Sequence, residues 1–156
     1  VQTCALPIFE ATKKLKENPN DEDARGVILY GASISTSGRL GLGKEENYAY
    51  DIYELEFIPE VLFQATYRKS LTTLFPRFLK AMAKYHHEDI ICYFNNVFDY
   101  QGTVEESVTQ MIKIFEKMGV DMYFDGTVSK DEIKDIGISS GLSIDEIVDI
   151  VKDCFR

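Results

Sequence analysis

Four stretches of the sequence carry residue types that chemistry uses, at spacings that invite a test. Residues 121–132 place Asp121, Asp125, Gly126, Ser129 and Glu132 at positions one, five, six, nine and twelve of a calcium-binding loop. Position three is Tyr123, where such a loop needs an oxygen ligand, so an ordinary turn is expected. His86 and His87 are adjacent, and neighbours on a helix point about 100° apart instead of converging on one ion. A surface role near a helix end, where positive charge suits the dipole, is the simpler reading. The Gly-x-Gly-Lys within residues 38–44 lacks the full spacing, the preceding strand and the following Ser or Thr of a phosphate loop, and reads as a connector. Tyr48, Tyr50, Tyr53, Phe57 and Phe63 would suit an aromatic pocket, but packing against the next helix explains most of them more simply.

The composition narrows the partners. With a net charge of -9 the chain lacks the clustered Lys and Arg that a sequence-independent hold on nucleic acid requires, so no nucleic-acid partner is expected. Its three cysteines, Cys4, Cys92 and Cys154, are odd in number and widely spaced, which favours a reducing, cytoplasmic setting over a disulfide framework. No apolar run approaches the roughly 18 to 20 residues that span a bilayer, and no signal-peptide pattern opens the chain, so no membrane partner is expected.

The elements that must position any site are helical. Residues 1–8 (VQTCALPI) carry no charge and no periodicity that continues, resemble translated adaptor sequence, and are expected to lie outside the fold. Residues 9–156 are expected to form a single helical domain, since 45% hydrophobic content over this length suffices for one good core. A first helix ends near Glu17 at the Asn18-Pro19-Asn20-Asp21 turn, and a second runs from about Asp21 to Ser37 with acidic residues in its first turn. The small residues from Gly31 to Gly38 would let helices pack closely. Helical sequence resumes near Glu46 and continues to Phe63, with Pro59 expected to kink or split it.

Leu71, Leu74, Phe75, Phe78, Leu79 and Met82 form a stripe at helical spacing, and Ile90, Ile91, Phe94, Val97 and Phe98 form another. Capping boxes beginning at Thr103, Ser129 and Ser143 predict three further helix starts. No useful period-2 pattern occurs, and the predicted class is all-α, a helical bundle.

Three segments together are similar to the C-terminal helical domain of iron-containing alcohol dehydrogenases, notably the butanol-dehydrogenase-like branch. Residues 18–25 (NPNDEDAR) resemble that family's Asn-Pro-x-Asp-x-x-Ala-Arg turn and helix start. Residues 43–49 (GKEENYA) resemble Gly-Lys-x-x-Asp-Trp-Ala, and residues 114–120 (IFEKMGV) resemble Phe-Phe-x-x-Leu-Gly-Val/Ile. The resemblance implies a two-domain parent whose N-terminal α/β half binds NAD(P), whose helical half holds a divalent iron or zinc, and which interconverts alcohols and aldehydes. It also implies a possible homodimer.

The sequence departs from this pattern at the metal. The family follows Trp-Ala with x-His-x-x-Glu-His-x-Leu; aligned through Tyr48 and Ala49, the first ligand falls on Asp51, Glu54 is retained and Leu55 replaces the second histidine. The later Thr-His-Gly ligand falls on Tyr67, and aligning backwards from Pro76 places the first ligand on Tyr53 instead. Neutral imidazole binds iron or zinc near pH 7 without losing a proton, whereas a phenol must ionise from a pKa of about 10. The expectation is therefore no catalytic residue, no metal and no cofactor on this chain. A non-catalytic interaction or structural module derived from the same family is the alternative.

Overall fold

The computed structural model describes residues 2–37 and 51–156, among which the chain forms nine helices and no strand. The chain divides into two compact units, Val1–Asn47 with Ile91–Gln101, and Tyr48–Ile90 with Gly102–Arg156. The sequence alone suggested one domain.

In the first unit α1 (Gln2–Glu17) and α2 (Glu22–Thr36) pack on each other. The residues expected outside the fold are thus helical from Gln2 onward. Ala and Leu in that stretch are good helix formers, and Pro7 falls in the second turn, where the one bond it removes is to Thr3. Asn18-Pro19-Asn20 ends α1 as expected, and the Asp21 carboxylate caps α2 by accepting from Ala24 N at 2.9 Å. Ala11, Ala24 and Gly31 are buried, the small side chains that close helix packing needs. Phe9 meets Phe98 edge to face at 5.3 Å; Phe98 ends α6 (His87–Phe98), whose residues from Ile91 on belong to this unit.

The second unit is built around α5 (Tyr67–Met82), which packs on α3 (Ile52–Leu55), α4 (Phe57–Phe63), α7 (Val104–Lys117) and α9 (Ile144–Lys152), with α8 (Lys130–Ile136) against α4 and α9. Pro59 splits the expected helix, and the position of the break follows from its ring, which crowds the carbonyl four residues earlier: α3 ends at that residue, Leu55. Thr66, not a capping box, starts α5, its hydroxyl accepting from Lys69 N at 3.4 Å. All three predicted boxes form reciprocally, at Thr103 with Glu106, Ser129 with Glu132 and Ser143 with Glu146. Gly119 ends the α7 segment at φ 90. There Val120 N donates to Phe115 O and Gly119 N to Glu116 O, a paired C-terminal stop that asks for a residue without a Cβ.

The core joins Leu55, Ile58, Leu74, Ile133, Ile147, Val148, Ile150, Val151 and Cys154. The chain end is tied in by a single parallel bridge between Phe124 and Phe155, with Phe124 N donating to Cys154 O at 2.8 Å. Burial pushes the Cys154 thiol up to about 12, so it behaves as a packed apolar group and not as a nucleophile. Among the described residues no helix is long and apolar enough to cross a membrane.

The α9 cap makes a pH prediction. The Ser143 hydroxyl, then the Tyr85 hydroxyl and the Ser143 N–H, hold the Glu146 carboxyl down from 4.5 to about 2. The folded value lies below the unfolded one, so this stabilisation is complete above about pH 4.5 and is lost as pH falls towards 2. Glu146→Gln is expected to remove about 2 kcal/mol of stability at pH 7 and to flatten the acid limb of the unfolding free energy. Urea titrations at pH 7 and pH 3 measure both; an unchanged pH dependence in the variant would contradict the assignment.

Candidate functional site

The metal-motif positions Asp51, Tyr53, Leu55 and Tyr67 lie in the second unit, at α3 and at the start of α5. Asp51 is the N-cap of α3: its carboxylate accepts from Tyr53 N at 2.8 Å, and its own N–H donates to Ser140 O at 3.0 Å. That carboxylate is already committed to a helix start. Leu55, at the second histidine position, is completely buried among Ile58, Leu74 and the α9 side chains. It belongs to the core.

Tyr67 is the first residue of α5 and is half exposed. Desolvation, then the charges of Glu56 and the neighbouring Tyr53 and Glu60, raise its phenol above the ordinary value of 10.0. The structure therefore gathers Tyr67, Tyr53, Glu56 and Glu60 within electrostatic reach, and couples Asp51 to Glu56. This environment works against forming a tyrosinate, the only form of the side chain that binds a metal well.

Glu56 is the residue sequence reasoning missed. It joins α3 to α4 and is only 7% exposed, and its Oε2 has no hydrogen-bond partner. Burial, then Glu60 and Asp51, raise its carboxyl above the usual value of 4.5. The signal available in the sequence was weak: a glutamate three residues before Pro59, where a helix must break. Among the described residues no three His, Cys, Asp or Glu side chains are grouped as a metal ion would require.

The other tempting signals resolve locally. Asp121 pairs with Lys69 at 2.6 Å and Arg156 at 3.3 Å, and Glu132 is engaged in capping Ser129, so two ligands of the calcium-loop pattern are committed elsewhere. His86 and His87 are exposed, as expected. His87 opens α6 instead of closing a helix, so the favourable dipole argument for it fails. Of the aromatic set, Phe63 packs on Phe124 and Phe155 at 6.0 and 5.2 Å. Tyr53 and Phe57 are instead 57% and 46% exposed, against the interior packing expected for them. They lie on either side of the break at Glu56, Tyr53 in α3 and Phe57 at the start of α4. Tyr48 and Tyr50, and the Gly-x-Gly-Lys connector at 38–44, lie outside the described residues.

No protein-family model matches the chain, and no curated protein sequence does. Among solved structures the chain is similar to the crystal structure of YqhD from E. coli K-12, described as a structural-genomics target of unknown function, with a TM-score of 0.79 and 16% sequence identity. The similarity covers 98% of this chain and 43% of YqhD, so the chain spans less than half the length of the protein it matches. At that identity the likeness establishes the fold: an all-α bundle resembling the C-terminal domain of YqhD.

Proposed function

We propose that the chain is the helical half of a two-domain oxidoreductase of the iron-containing alcohol dehydrogenase type, with a degenerate metal position, and that it performs no hydride transfer alone. The observation that carries this reading is the backbone match to YqhD, a protein of that family, over 98% of the chain. The ordered motifs at 18–25, 43–49 and 114–120 support it independently. In such an enzyme the dinucleotide domain supplies NAD(P), and the metal polarises the carbonyl that exchanges hydride with it, a contribution of several kcal/mol, order of magnitude, to the transition state.

The residues here do not fit that metal. Asp51 caps a helix, Leu55 lies in the core, and the phenol of Tyr67 sits beside carboxylates that oppose its ionisation. A soft or borderline divalent ion prefers imidazole, and the two histidines are elsewhere, at 86 and 87. The test is made on the full open reading frame that contains this chain. Metal analysis is expected to find no stoichiometric iron or zinc. Stoichiometric metal that disappears on Asp51→Ala and Tyr67→Phe would overturn the degenerate site.

A second reading is favoured by one surface. Tyr53, Phe57, Val61 and Tyr67 are between 46% and 63% exposed on α3, α4 and the start of α5, an apolar and aromatic area of the kind that protein interfaces cover. A helical interaction module descended from the enzyme would use it. The reading frame upstream of Phe9 separates the two: a glycine-rich βαβ dinucleotide pattern there supports the enzyme, and a start codon at that point supports the module.

A further inference from the structure

Arg77 does not belong to the site described above. It lies on α5 and is only 3% exposed, and no carboxylate among the described residues pairs with it. Its Nε donates to Asp153 O at 3.2 Å and its Nη1 to Thr73 O at 2.9 Å, and its guanidinium lies over the Tyr123 ring at 4.8 Å. Those contacts offset part of the cost of burying a cation, since Asp153 is the C-cap of α9, where the helix dipole is negative. A guanidinium has five N–H donors, however, and the two backbone carbonyls satisfy only two. No Arg77 nitrogen is among the buried polar atoms that lack a partner, so the remaining N–H groups reach solvent and are open to a ligand.

Arg77 lines a groove of about 460 Å³ between α5 and α9. Lys80, Lys84 and Lys152 line the same groove; Lys80 is paired with Glu105 at 2.8 Å and Asp153 at 3.2 Å and Lys84 with Glu146 at 3.5 Å, which leaves Arg77 and Lys152 as the cations of the lining without a carboxylate partner among the described ion pairs. Acidic side chains border it too, but two of them are neutralised in place. Glu146 is closed on Ser143, Tyr85 and Lys84, and Asp153 takes Lys80 at 3.2 Å. Asp149, which is exposed, is the third.

We propose that this groove binds a small phosphorylated ligand, its phosphoryl group meeting the open edge of Arg77 while Lys84 and Lys152 hold it from the rim. A planar guanidinium presents paired donors that match two oxygens of a phosphate, and the dianion uses the neighbouring ammonium groups as a carboxylate cannot. The inference is independent of the alcohol dehydrogenase reading, because none of its residues occupies a position of that family's metal motif.

The probe is inorganic phosphate, titrated into the ¹⁵N-labelled full chain at constant ionic strength, with acetate in a parallel series. Phosphate is expected to bind saturably at one site, shifting amides in α5 around Lys80 and in α9 around Asp149, with acetate at least tenfold weaker. Arg77→Lys is expected to weaken phosphate at least tenfold. Because that position is buried, the double variant Lys84→Gln with Lys152→Gln, both exposed, keeps the test valid if the first fails to fold; it is expected to weaken binding about fivefold. Lys13→Gln, on α1, leaves the affinity unchanged. Non-saturable shifts, equal affinity for acetate, or binding that ignores the double variant would each overturn the proposal.

Discussion

Leu74→Ala is expected to lower the unfolding free energy by about 3 to 5 kcal/mol, the range for truncating a fully buried leucine whose surroundings cannot collapse. Leu74 is completely inaccessible and sits midway along α5, the helix that the rest of the second unit surrounds. It belongs to a core cluster drawn from several separate helices, of which α8 and α9 are held by capping boxes, so the surroundings cannot move into the vacated space without disturbing other contacts. The chain has no tryptophan, so far-UV circular dichroism in urea is the suitable measurement. A loss below about 1 kcal/mol would mean that the α5 to α9 interface is far looser than described.

Leu55→His is expected to be about as damaging, costing about 3 to 5 kcal/mol, because it removes a packed side chain and buries an imidazole without a partner. The substitution is instructive because it puts a histidine where the sequence resemblance would call for a ligand, yet inside the core cluster that holds Ile58, Leu74 and α9 side chains. The triple change Asp51→His, Leu55→His and Tyr67→His is accordingly expected to give a poorly folded protein and no stoichiometric zinc. Thermal unfolding with and without zinc decides it: a melting point raised by zinc in the triple variant would show that the backbone can bring these three positions onto one ion.

What could be read from the sequence was mostly what is decided within a few residues. The boxes at Thr103, Ser129 and Ser143 were legible because donor and acceptor lie three residues apart, and the Asn18-Pro19 turn because proline restricts its own neighbourhood. The all-α class followed from the same short-range periodicities. What was not legible depends on tertiary packing. Glu56 and Arg77 look like surface residues in a string of letters, yet both are nearly inaccessible, because the α3–α4 break turns one inward and α9 closes over the other. Ser70 and Thr73 likewise occupy the buried side of α5, beside the apolar stripe at Leu74. The exposure of Tyr53 and Phe57 was not legible for a related reason: the split at Pro59 could be read locally, but which side of each short helix faces the core is decided by packing.

The three reciprocal caps also bear on how the chain reaches its fold. Each closes a loop of four residues and needs no distant partner, so its entropic cost is small and is met before any long-range contact forms. The caps therefore bias 104–117, 130–136 and 144–152 towards helix in the denatured ensemble, while segments of 14, 7 and 9 residues still need packing around α5 to become stable. Core truncations such as Leu74→Ala are then expected to act mainly on the docking of these segments and to leave the local caps intact.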